Sequence, residues 1–524
     1  MVSPNPAYTP ADERDQEIFQ ATVAEEHSLR RVKDVIDFDR LRPLLTGAYC
    51  EDHGRPALEP LLLLKLEFLQ YQYNLSDRQV IEHARSNMAY RFFLGLSLHS
   101  PLPHPTLFTY FRQRLGVTRH QQVFDAVVGQ ARERGLVKDR LRLKDATHVI
   151  ANVAIPAAIA LVAQTRQRLL AALTPWAAEE VARQQQRAEQ IRQSTVDLSG
   201  EERLLQRVVH LRQLVAWAEV VRAGEEFTAA LPVPQQELQG ALALASQVLD
   251  DRDEPDGKNH VQSVQDPDAR RAKHGPYYVG YLVDLAMDAD SQIITALNVL
   301  PGGSNEGADA ETLIRREETA HGNDVQAVSI DSAGYQGPLL HTLTDPQGLN
   351  VEVFVPPKEP ASKRDFQPED FTLSGDQQTL TCPAGAASTY RRRAWTGTGW
   401  QFYFARATCE ACPLRAQCVP KLPKEKGRGV NKSDYEADLR AAKAKAQTPA
   451  YAQVRREHSA IERKIGELVR RHGARRARYW GQPKVLLQQL LTGLTVNIKR
   501  VVKLTLAPPE PGGGTVRAEA LATG

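Results

Sequence analysis

Three acidic residues have types and settings that could do chemistry together: Asp145 in LRLKDATHVIANV, Asp331 in VQAVSIDSAGYQG and Glu462 in HSAIERKIGELVRRHG. Asp145 and Asp331 read as ending strands, and Glu462 sits on a basic, amphipathic helix near the C-terminus. Carboxylates that converge from distant parts of a chain suit hard divalent cations, which take oxygen ligands. Two such ions, about 3.5–4 Å apart, can activate a hydroxyl nucleophile and stabilise a leaving oxygen. The pattern therefore points to phosphoryl transfer supported by two Mg2+ or Mn2+ ions. Glu457 and Glu467 share the helix and compete with Glu462 for the third place; Ile461, Ile465 and Leu468, which anchor the helix around Glu462, favour it.

A second set of candidate ligands is sulfur. Cys382, Cys409, Cys412 and Cys418 form a C-x26-C-x2-C-x5-C pattern on turn-rich segments, TCPAG and ATCEACPLRAQC. Four thiolates at such spacing can close a tetrahedral structural Zn2+ site, and a closed site leaves no open position for catalysis. A reduced cluster without metal is the alternative. Cys50 stands apart as an ordinary thiol. Four clustered cysteines out of five do not make a disulfide framework and fit a reducing compartment.

Net charge is only +3, but the basic residues are concentrated. From Arg455 to Lys503 there are 13 lysines and arginines against three glutamates, an excess able to neutralise a phosphate backbone. Candidate DNA contacts in this stretch are Arg455, Arg456, His458, Arg470, Arg471, Arg475, Arg476, Lys499 and Arg500. Tyr479 and Trp480 either stack on a displaced base or pack against the protein. Smaller basic clusters occur at Arg270, Arg271 and Lys273, at Arg391 to Arg393, and at Lys421 to Arg428.

Several elements must position these side chains. Residues 1–40 read as a polar segment with partial order at best. Residues 41–135 read as a helical N-terminal domain in which Arg112 and Arg114 suit DNA-end binding, a plain helical cap being the alternative. From residue 136 to 505 the pattern becomes α/β. LRLKDATHVIANV, YYVGYLVDLAMD and QIITALNVLP are strands, the last two a hairpin; a helix (ADAETLIRREETAHG), a strand, a short helix and a last strand (VEVFVPP) follow. That order is a ribonuclease H-like mixed sheet flanked by helices. About 120 residues separate the first two strands, too many for a loop, so a helical insertion is expected at 156–255, with Leu204, Val208, Leu211 and Val215 on one stripe. A cysteine-rich, zinc-ribbon-like insertion is expected at 375–430 and a disordered tail at 506–524.

With 524 residues, 42% of them hydrophobic, the chain has material for roughly three domains with real cores. No run nears the ~18 apolar residues of a membrane span, and the N-terminus lacks a signal peptide's apolar core. A cytoplasmic protein with no membrane partner is expected.

Taken in order, the helical N-terminal region, KDATHVIAN, DPDARRAKHG followed by GYLVDLAMD, SIDSAGY, the cysteine-bearing CPAG segment and IERKIGEL…RRHGARRARYWGQPKV…NIKR resemble a DDE transposase of bacterial insertion sequences. The resemblance runs from about residue 40 to 505. It implies Asp145, Asp331 and Glu462 as the three catalytic, metal-binding residues. It also implies action on terminal inverted repeats and target DNA, with a homodimer in the DNA complex. In the Y-R-E-K branch of these enzymes a tyrosine and an arginine precede the glutamate by seven and four residues and a lysine follows by seven. Here those places hold Arg455, His458 and Val469, with Tyr451, Arg456 and Arg470 nearby, so the resemblance does not carry those phosphate contacts over. Two other readings stay open: a DNA-binding regulator that has lost the chemistry, and a nuclease of the same fold without strand transfer.

Overall fold

A computed structural model describes residues 8–50, 56–254, 257–273, 275–307, 309–358, 365–395 and 397–507. Its centre is a mixed sheet. β1 (Arg142–Ile150), β2 (Arg270–Lys273), β3 (Tyr277–Asp288), β4 (Ile294–Pro301), β5 (Ala327–Ser329) and β6 (Glu352–Phe354) lie in the order β2-β3-β1-β5-β6, with β4 also on β3. β1 and β4 run antiparallel to β3, whereas β5 is parallel to both β1 and β6. This is the ribonuclease H-like order expected from the strand and helix pattern. β2 is an unforeseen addition, a short basic edge strand in ARRAK that pairs with the start of β3.

One expectation about this sheet needs correcting. Asp145 does not end its strand: it is the fourth of nine residues in β1, paired through its whole length with β3. What ends near Asp145 is the other neighbour. β5 pairs with β1 only at Arg142 and Leu143, so β1 runs on past β5 and exposes one edge at Asp145. Asp331 lies two residues beyond the end of β5.

The N-terminal region is helical, as expected, but it begins earlier than the composition suggested. α1 (Glu13–Thr22) and α2 (Ser28–Val35) are ordered helices, because Phe19, Leu29 and Val32 supply an apolar face that the many charges around them mask. They join α3 (Pro60–Gln72), α4 (Asp77–Ser86), α5 (Met88–Leu94) and α6 (Thr106–Glu133) in one core that continues into Leu143, Leu285 and Leu297 of the sheet. α6 breaks at Gly116, whose φ of +61° and ψ of −175° suit glycine. Between β1 and β2 the helices α7 (Ala158–Ser194), α8 (Gly200–Ala223) and α9 (Pro232–Asp253) pack on a core of their own that includes Leu169, Leu211 and Leu238.

α10 (Ala310–His321) and α11 (Gly337–Thr344) connect β4, β5 and β6. Two small three-stranded sheets follow, built from β7 (Thr372–Leu373), β8 (Leu380–Thr381) and β9 (Ala387–Ser388), and from β10 (Arg391–Arg393), β11 (Trp400–Tyr403) and β12 (Gly429–Lys432). Phe371, Leu380, Phe402, Phe404 and Val430 fill the space among them, with Cys382, Cys409 and Cys418 at the margin. α12 (Glu436–Lys445), α13 (Pro449–His472) and α14 (Gln482–Thr505) complete the chain as described. Among the described residues no helix is long and apolar enough to cross a membrane. Most of the tail, 508–524, lies outside the described residues.

Candidate active site

β1 carries Asp145 because its alternation leaves odd-numbered residues facing α13 and α14. Leu143 on that face enters the core shared with Ile461 and Leu468 of α13. Even-numbered residues face the other way, where Lys144 and Asp284 form a buried ion pair of 2.8 Å. Asp145 Oδ1 accepts the Ala146 N–H at 2.7 Å. Burial pushes the Asp145 carboxyl up to about 6, and the neighbouring Asp331 charge pushes in the same direction, whereas the Ala146 N–H opposes it. Continuing the β1–β5 register by two residues sets Asp331 opposite Asp145, consistent with that electrostatic coupling.

α13 is seated on β5 by two side chains one helical turn apart. Arg455 donates to the Ile330 carbonyl at 3.1 Å, and His458 shares a 2.9 Å hydrogen bond with Ser329 Oγ. Glu462 follows His458 by four residues, about 6 Å along the helix. Asp145 follows Leu143, the strand partner of Ser329, by two residues, about 6.6 Å along β1. The end of α13 leads into a segment joined to the far end of β1, where Ile150 N–H donates to the Arg475 carbonyl at 2.8 Å, so helix and strand advance together. By these ideal rises Glu462 falls near the level of Asp145.

The neighbouring glutamates are already engaged. Glu457 pairs with Arg140 at 2.8 Å, and Glu467 pairs with both Lys464 and Lys499 at 3.1 Å. Glu462 is exposed, and among the described residues its carboxylate has no ion pair or hydrogen bond. Among the described residues no three His, Cys, Asp or Glu stand close enough to hold an ion. Two neighbouring aspartates and an unpaired glutamate nonetheless fit divalent cations in donor chemistry, because a cation would favour the ionised Asp145 that burial, with the Asp331 charge, disfavours.

The basic residues divide into groups. His458 is 2% exposed, and burial with nearby Arg455 and Lys144 pulls its imidazole down to about 4. It is a neutral core histidine, so its assignment as a DNA contact is corrected. Arg455 is half-buried and committed to β5. Arg475 donates to the His148 carbonyl at 2.8 Å, bracing the loop after α13 against β1. Arg456, Arg470, Arg471 and Arg476 are exposed. Lys499 is held by Glu467, and Arg500 donates to the Ser291 carbonyl. Arg112 is also not free for DNA. It is buried against Glu67 at 2.8 Å and Asp77 at 3.0 Å, with its guanidinium over the Tyr479 ring. Arg114 lies over the Tyr49 ring. Tyr479 thus packs inside, whereas Trp480 is 49% exposed and donates to the Asn152 carbonyl.

Residues that sequence reasoning missed lie under β1. Arg142 is fully buried among Glu317 at 2.6 Å, Asp288 at 3.0 Å and Asp139 at 3.0 Å. Nothing in KDRLRLKD marks that arginine as internal; only the pairing of β1 with β3 puts it there. In the cysteine lobe, burial and the nearby Cys382 and Cys412 push the Cys409 thiol up. Its Sγ accepts the Arg428 N–H at 3.3 Å, and a Cβ on Gly427 would come within 2.6 Å of it. The lobe brings these thiols near one another without gathering them at ligand distance.

Comparison with known proteins agrees with the motifs. Residues 17–114 match a family described as a transposase domain (DUF772), and residues 381–502 match a transposase DDE domain. The second match contains Glu462 and the four clustered cysteines; Asp145 and Asp331 precede it. Together the two matches support an insertion-sequence DDE transposase, and a DDE domain implies the ribonuclease H-like sheet described above. A further relative, "Uncharacterized protein ORF8 in nfe locus" of Rhizobium meliloti, is 28% identical over 123 residues, which is 23% of this chain. The match spans 58% of that relative's length. No solved structure matches the chain.

Proposed function

We propose that the protein binds the ends of an insertion sequence, cleaves DNA to free 3'-hydroxyls and joins them to target DNA, with Asp145, Asp331 and Glu462 as its catalytic carboxylates. The observation that carries the reading is the level set by α13. Its seating on β5 through Arg455 and His458 supports an arrangement in which the unpaired Glu462 faces the coupled pair Asp145 and Asp331. These three would hold two Mg2+ or Mn2+ ions, whose chemistry is to lower the pKa of a hydroxyl nucleophile and stabilise the leaving oxygen. The chain's own part is to keep Asp145 on a rigid strand, to hold Asp331 at its free edge and to carry Glu462 on a helix fixed at both ends. Exposed Arg456 and Arg476 would meet the phosphate backbone beside the site. The cysteine lobe would hold one structural Zn2+ through Cys382, Cys409, Cys412 and Cys418, a reading supported by the N–H aimed at Cys409. A homodimer on DNA follows from the need to treat two element ends.

Purified protein should be incubated with Mg2+ and a duplex bearing the element's own ends, beside Asp331→Ala. Released 3'-hydroxyl ends and joined products that vanish in the variant are expected. Cleavage without joining would leave a nuclease, and binding with no cleavage a regulator.

A further inference from the structure

α13 and α14 enclose a groove of about 640 Å3. Arg463, Arg470 and Arg471 line it from α13, and Lys499, Arg500 and Lys503 from α14. Its floor holds Lys464, 5% exposed, whose charge is matched by Glu467. Glu467 also binds Lys499, and is the groove's lone acidic lining residue. Among the described residues Arg463, Arg470, Arg471, Arg500 and Lys503 have no carboxylate at ion-pair distance. Like charges at this density repel, and a groove of one sign focuses its field on an anion.

At 100° per residue, Lys464, Glu467 and Arg471 lie about 140–180° around α13 from Glu462 and Arg463 and Arg470 about 80–100°, so the floor of the groove faces away from Glu462 while its Arg463 and Arg470 wall lies toward it. From Arg463 to Arg471 the helix advances about 12 Å. A duplex carries about seven phosphate charges over that length and a single strand about half as many. Seven basic lining residues less Glu467 leave six positive charges, nearer the duplex figure than that of the single strand. Arg470 also lies across Gly466, where a Cβ would come within 2.6 Å of its guanidinium, so this cation is laid along the groove wall by the absence of a side chain.

We propose that this groove grips the backbone of double-stranded DNA away from the strand being cut, independently of base sequence. The inference rests on the DNA-acting reading above but assigns a second contact surface, with Arg463 and Lys503 as residues of it. The test is equilibrium binding of a duplex in EDTA, at several NaCl concentrations, to the full chain, to Arg463→Ala/Lys503→Ala and to Arg463→Lys/Lys503→Arg. The alanine pair should bind more weakly, with a log–log salt slope shallower by about 2; the charge-conserving pair should keep the wild-type slope. Equal melting temperatures show that the alanine pair is folded. An unchanged slope in the alanine pair overturns the groove while leaving the proposed function standing. Failure of the unaltered protein to bind DNA overturns both. Competition by single-stranded DNA of equal length as strong as by duplex overturns the duplex assignment.

Discussion

Asp145 carries a cost that its proposed role explains. Its carboxyl is raised to about 6 by burial, with Asp331 adding to the shift. A carboxyl with a raised pKa favours folding while protonated and loses that contribution as pH climbs from the ordinary carboxylate range through about 6. Asp145→Asn should therefore raise stability at pH 7, on the order of 2 kcal/mol, with the gain gone below about pH 4; thermal melts across that range measure it. Ligation needs the ionised form, so cleavage at limiting Mg2+ should fall below about pH 6. Glu462→Gln should lower cleavage by more than the roughly 10- to 100-fold that loss of a ligand's outer partner costs. Glu457→Gln and Glu467→Gln should stay within that range, since their carboxylates are spent on Arg140, Lys464 and Lys499. Equal losses in all three would remove Glu462 from the site.

At the scale of elements, β1 is held from beneath by buried charge. Arg142 pairs with Glu317 on α10 and Asp288 on β3. Removing one partner of such a set strands the other, so Glu317→Ala should cost about 3–5 kcal/mol, read as a lower denaturation midpoint with DNA chemistry lost only in parallel. His458 belongs to the same scale. Its imidazole is held neutral, its pKa depressed to about 4, so its contribution is full above its ordinary value and fades as pH falls from there toward 4. His458→Asn should flatten that stretch of the stability–pH curve.

For the whole molecule, the separate cores matter most. α7, α8 and α9 bury their apolar stripes against one another through Leu169, Leu211 and Leu238. Expressed alone, residues 156–255 should give a helical circular-dichroism spectrum and a cooperative melt; a non-cooperative melt would show that the sheet is needed to complete them. The chain thus sets a self-contained bundle between β1 and β2 without interrupting the pairing of β1 with β3.

The types of the three acidic residues, the order of strands and helices, the helical insertion and the crowding of basic residues near the C-terminus were all legible in the sequence, because they are local properties: periodicity, turn residues and charge density. What the tertiary structure decided depends on pairing between distant segments. It put Asp145 inside a strand beside the point where β5 stops, buried Arg112, Arg142 and His458 although their neighbours look exposed, and folded residues 8–40 onto the core. It also distinguished Glu462 from its two neighbours, since only the approach of Arg140, Lys464 and Lys499 shows which carboxylates are occupied. A charged side chain reads as surface until its partner is known, and partners far apart in the chain meet only in the fold.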